Sequence, residues 1–228
     1  MSDRLLRKAL AEFVGTAFLL MVVIGSGIAA SRLSDDVGLQ LLENSIATGA
    51  GLVALILVLQ PVSAAFNPVV TLADRLWGAL TTTEAIALVA AQVAGGIVGA
   101  VLANLMFDLS AVSIATTVRG GTGQLLGEVI ATFGLVVVIF GCARAGRAAS
   151  IPFAVGGYIA AAYWFTSSTS FANPAVTLAR IFSDTFAGIA PTSVLPFVLM
   201  QLVGGALGVG FVQFVFPQPS QELQEVHP

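Results

Sequence analysis

The stretch Phe66-Asn67-Pro68-Val69-Val70-Thr71-Leu72-Ala73-Asp74 constrains this chain most, because the chain contains it twice. Phe171-Ala172-Asn173-Pro174-Ala175-Val176-Thr177-Leu178-Ala179-Arg180 repeats it with few changes. Each copy sets Asn-Pro ahead of apolar, helix-compatible residues. Asn is a preferred helix N-cap and Pro is favoured at the first helical position, so each copy reads as a helix start. The surroundings make those starts unusual. The chain is 57% hydrophobic and 9% charged, where soluble domains carry about 25% charged residues. It reads as a membrane protein. A helix that begins inside a bilayer leaves N–H groups unpaired, and such ends persist only where they line a cavity or are buried in protein. Two of them, in corresponding positions of two halves, point to a solute path.

Six apolar segments are long enough to cross, since a membrane helix needs about 20 residues. They run over about Ala9–Ala30, Asn44–Val62, Thr83–Met106, Gln124–Cys142, Ala148–Phe165 and Val194–Phe216. The first follows Arg4, Arg7 and Lys8 and could pass for a signal peptide, but it exceeds the usual h-region of about 7–15 residues. The two Asn-Pro segments fall between spans two and three and between spans five and six. Each is followed by too few residues to cross, which predicts re-entrant half-helices. The expected fold is an all-α membrane protein of six transmembrane helices and two half-helices.

The repeat reaches beyond the Asn-Pro segments. Glu12-x-x-x-Thr16 in span one returns as Glu128-x-x-x-Thr132 in span four. Gln92-Val93-Ala94-Gly95-Gly96-Ile97-Val98-Gly99 in span three returns as Gln201-Leu202-Val203-Gly204-Gly205-Ala206-Leu207-Gly208 in span six. The chain therefore divides into a first repeat, 7–106, a second repeat, 124–216, and a tail, 217–228, all within one channel domain, 1–228. Three spans per repeat turn the second copy upside down in the membrane, an inverted repeat. The half-helices then meet N-terminus to N-terminus near the midplane.

Lys and Arg placement favours cytoplasmic termini. Arg4, Arg7, Lys8, Arg75, Arg144 and Arg147 then lie inside, and Arg32, Arg119 and Arg180 outside. On this reading the tail is cytoplasmic and disordered.

Two facing helix N-termini place about +0.5 charge each at the centre of the membrane. A cation there meets a barrier. Asn67 and Asn173 can cap their own helices and still offer N–H donors. The expected cargo is small, neutral and hydrogen-bonding. Glu12 and Glu128 are ionisable groups inside spans, and so candidates for a functional role. Their symmetric placement favours a structural one, with the carboxylates accepting hydrogen bonds from the re-entrant loops. The glycine pairs Gly95/Gly99 and Gly204/Gly208 read as close-packing faces. The lone Cys142 and the lone His227 build no metal site, and no Ser-His-Asp arrangement exists, which argues against an enzyme. No basic patch suggests nucleic acid.

The doubled Asn-Pro motif, the Ala11-Glu12-Phe13-Val14-Gly15-Thr16 opening and Glu128-x-x-x-Thr132-Phe133 together resemble the aquaporin, or major intrinsic protein, family. The resemblance spans about Arg7 to Phe216. It implies a homotetramer in the cell membrane with one pore per subunit, facilitated diffusion, and no cofactor or metal.

Departures from the family pattern bear on the solute. The first motif, usually Asn-Pro-Ala, is Asn67-Pro68-Val69 here, while the second keeps Asn173-Pro174-Ala175. The His common two residues before the first Asn is Ala65. Family members usually carry an Arg directly after the second motif, where this chain has Val176. Spacing carries the other constriction positions to Thr48 (or its neighbour Ala47), Ala161 and Ser170. A filter of Thr48, Ala161, Ser170 and Val176 would hold no ring, no His and no Arg, and would be wide and uncharged. Arg180, one helical turn beyond Val176, could guard the vestibule, snorkel to the interface or pair with Asp184. The run Thr166–Val176, continuing to Asp184-Thr185-Phe186-Ala187-Gly188-Ile189, looks like bacterial aquaglyceroporin-like channels associated with arsenic resistance. That resemblance implies polyols, arsenite or methylated arsenicals as cargo beside water. The alternatives are a water-selective aquaporin and, from another class, an ion-coupled secondary transporter.

Overall fold

A computed structural model describes residues 2–216; the tail expected at 217–228 lies outside the described residues. Eight α-helices follow in order: α1 (Asp3–Leu33), α2 (Val37–Leu59), α3 (Pro68–Leu76), α4 (Thr82–Met106), α5 (Thr122–Arg144), α6 (Ile151–Phe165), α7 (Pro174–Ala179) and α8 (Pro191–Val215). Single 3₁₀ turns cover Ala148–Ser150 and Arg180–Phe182. Six segments are long and apolar enough to cross a membrane, the fifth being Ala148–Phe165. The two short helices α3 and α7 start at the two Asn-Pro sequences.

Most span limits fall within a few residues of the apolar runs, but α2 begins seven residues before Asn44. Polar groups account for the difference. Asp36 caps α2 by accepting from Leu39 N. Gln40 Nε2 donates to Ser34 O, and Asn44 Nδ2 donates to Val23 O at 2.9 Å. A first turn whose polar side chains are used locally is invisible to an apolar count.

Packing follows the repeat. α1 lies along α4, and α5 along α8. The glycine pairs sit at these crossings. A Cβ on Gly95 or on Gly99 would stand 2.2 Å from the carbonyl oxygen of Phe13 or Ala17, and one on Gly204 would stand 2.3 Å from that of Val129. Only the missing side chains let the backbones approach so closely. The half-helices knit the repeats together: α3 packs on α4 and α8, and α7 on α8 and α4. α2 and α6 close the bundle against each other.

Candidate functional site: a cavity between paired half-helices

Asn67 and Asn173 each do two jobs. Asn67 Oδ1 accepts from Val69 N, and Asn173 Oδ1 accepts from Ala175 N and Val176 N, which caps the half-helices. Asn67 Nδ2 donates to Ala172 O and Asn173 Nδ2 donates to Phe66 O, both at 2.7 Å. The two loops are stapled reciprocally, so the helix starts face each other. Each carboxamide NH₂ carries two hydrogens. One is spent on the staple, and the other is available to a solute. Pro68 and Pro174 occupy the first helical position, where no N–H is missed. Val69 packs on α8 against Gly205, and Ala175 is buried; neither lines the cavity.

The loops ahead of both Asn residues are strained in the same way. Phe66 and Ala172 have φ of 49° and 48°, in the left-handed region, a cost of about 1–2 kcal/mol per residue. The buried acids offset it. Glu12 accepts from Ala65 N at 2.8 Å and Phe66 N at 2.7 Å, and Glu128 from Phe171 N at 3.0 Å and Ala172 N at 2.9 Å. Hydrogen bonds to a carboxylate are the stronger kind. Gln92 Nε2 bridges Glu12 and Thr71, and Gln201 Nε2 bridges Glu128 and Thr177. Every carboxylate oxygen of both acids thus has a donor.

A cavity of about 90 Å³ runs past the Asn pair, ample for several waters, each of which needs about 10–15 Å³. One wall is aliphatic and built from side chains four residues apart. These are Leu19 and Val23 on α1, Leu52 and Ile56 on α2, Leu135 and Ile139 on α5, and Ile151, Val155 and Ile159 on α6. The other wall is the two re-entrant loops with Asn67 and Asn173. A solute passing between them sheds water on one side and keeps hydrogen bonds on the other. Beyond α3 the cavity meets a vestibule of about 300 Å³ that includes Lys8, Gln60 and Asp74.

Polar groups gather towards the α7 end. Thr48, Ser170, Val176 and Arg180 all line the cavity, and so does Tyr163, whose OH lies 3.2 Å from Thr48 Oγ1. Ala161 does not. It is exposed on the outer face of α6, so its assignment to the filter is corrected. Counting back from Asn173 failed because the loop between them is irregular, with Thr169, Ser170 and Ala172 all at positive φ. Along α6, Ile151, Val155, Ile159 and Tyr163 form one stripe that lines the cavity. Tyr163 and Arg180 bring a ring and a guanidinium to the same cavity as Thr48, Ser170 and Val176.

Arg180 is 4% exposed. Its guanidinium lies over the Phe171 ring, 3.5 Å from the centroid, and its Nε donates to Ala187 O. It does not pair with Asp184, whose carboxylate accepts from Thr116 N at 2.9 Å instead. Among the described residues the one salt bridge is Lys8–Glu84. Arg119 stacks on the same Phe171 ring at 5.1 Å and donates to Gly188 O and Phe186 O. Burial holds the Arg119 pKa below its ordinary value.

Comparison with known proteins gives a consistent picture. The profile of the major intrinsic protein family matches residues 1–170. The chain is 48% identical to aquaglyceroporin AqpS of Rhizobium meliloti (strain 1021), over 96% of this chain and 94% of that protein. It is 30% identical to aquaporin C of Dictyostelium discoideum, over 79% of this chain and 71% of that one. Its fold is similar to the X-ray structure of the aquaglyceroporin from Plasmodium falciparum, with a TM-score of 0.74 at 20% identity, covering 93% and 97% of the two chains.

Proposed function

The chain belongs to the major intrinsic protein family, and from that premise we propose a passive channel for water and glycerol-sized neutral solutes. It is an integral, multi-pass membrane protein and not an enzyme. The observation that carries the reading is the cavity's two-sided lining, aliphatic opposite hydrogen-bonding, at the reciprocal Asn67–Asn173 staple. A polyol has the matching faces, with carbons on one side and hydroxyls on the other. Uncharged arsenous acid falls in the same class of small, neutral, hydroxylated solute. A cation would exchange its hydration for one polar wall and two positive helix ends, which is unfavourable.

The repeats 7–106 and 124–216 act together as one channel domain, and the filter region comprises Thr48, Tyr163, Ser170, Val176 and Arg180. The distribution of Lys and Arg supports cytoplasmic termini. The cell membrane and a homotetramer with one pore per subunit complete the reading, on the strength of family membership.

Stopped-flow light scattering on reconstituted protein tests it. Vesicles should swell faster than empty ones in water and in glycerol, with urea and arsenous acid as further arms. Permeation of water alone would replace this reading with a water-selective channel, and permeation of neither would end it.

A further inference from the structure

The half-helix α7 is six residues long and tightens at Arg180 into a 3₁₀ turn. Val176 and Arg180, four residues apart, both reach the cavity. The first is uncharged and the second carries a buried guanidinium that no carboxylate neutralises among the described residues. An unpaired buried charge is costly unless other groups hold it. Here the Phe171 ring and the Ala187 carbonyl hold it. Only Nε is engaged, which leaves both Nη groups without a protein acceptor among the described residues. Beside it in the same cavity, the buried hydroxyl of Ser170 also has no partner.

The seat is itself supported. Arg119 Nε donates to Gly188 O at 2.8 Å and its Nη2 to Phe186 O at 3.2 Å. Three successive carbonyls, from Phe186, Ala187 and Gly188, are therefore taken by two arginines. Both guanidiniums stack on Phe171, which also packs edge-on against Phe197 at 5.3 Å. Arg119 fixes the loop whose middle carbonyl fixes Arg180.

We propose that Arg180 is the charge-selecting residue of this pore, delivered one helical turn beyond Val176, and that Arg119 is its positioning residue. The proposal rests on the channel reading. It separates two properties of the pore. The wall at Val176 admits solutes with carbon atoms, while the guanidinium beyond it rejects cations and offers Nη donors to hydroxyl and carbonyl oxygens. Neutral hydrogen-bond acceptors pass, and a cation of the same size does not.

Proteoliposome swelling in glycerol, urea and guanidinium chloride tests the idea, because urea and guanidinium are planar and similar in size. The wild-type protein should take up glycerol and urea and exclude guanidinium. Absence of glycerol uptake in the wild type would sink the glycerol-channel reading on which the proposal rests, a result distinct from those below. Arg180→Gln keeps hydrogen-bond donors without charge. It should raise the ratio of guanidinium to glycerol uptake at least about tenfold, whatever it does to glycerol uptake itself. Arg119→Gln should raise guanidinium uptake by less, and the pair Val176→Arg with Arg180→Gln should restore exclusion. An unchanged ratio of guanidinium to glycerol uptake in Arg180→Gln overturns the proposal. If that variant does not elute as a monodisperse species, Arg180→Lys carries the test. Retained exclusion there supports a role for charge, and guanidinium uptake through it overturns that role.

Discussion

At Val176 and Arg180, one helical turn of about 6 Å separates an uncharged wall from a guanidinium. Val176→Arg would place a second guanidinium in the cavity beside the first. Glycerol permeability should fall about tenfold and water permeability by less than about threefold, read in one stopped-flow series. An equal effect on both solutes would remove Val176 from the filter. The two positions also mark where sequence stops being informative. Val176 follows its Asn inside a helix, so spacing alone brings it to the cavity. Ala161 lies across an irregular loop with several positive-φ residues, so the same counting puts it on the wrong face. Arg180 could be counted onto the face of Val176. That it stacks on Phe171 and bonds to Ala187 depends on the fold of a distant loop, which no local pattern encodes.

At the scale of elements, buried acids and small residues set the half-helices in place. Glu128→Ala would strand the N–H groups of Phe171 and Ala172 in the interior, at about 1–3 kcal/mol each. A lower midpoint of thermal unfolding in detergent, with a smaller drop for Glu128→Gln, is the expected result; an unchanged midpoint would assign Glu128 another role. Gly95→Val should destabilise strongly, since even a Cβ meets Phe13 O. Gly157→Ala, where nothing lies within 4 Å, should be neutral by the same assay. These features were readable because they recur: Glu, Asn-Pro and Gln-x-x-Gly-Gly appear in the same order in both halves. What recurrence could not supply was the start of α2, where polar residues are satisfied by their own turn and by α1.

At the scale of the molecule, the inverted repeat brings two helix starts face to face and leaves a continuous cavity beside them. Among the described residues, every carboxylate oxygen of Glu12 and Glu128 accepts from a loop N–H group or a glutamine, which gives both acids a structural task. Flux should therefore follow the solute's own gradient. The direct measurement is the steady-state level of labelled glycerol in proteoliposomes under an imposed pH or sodium gradient. A passive pore brings the internal concentration to the external one, with or without either gradient. Accumulation above the external concentration, dependent on the imposed gradient, would contradict it.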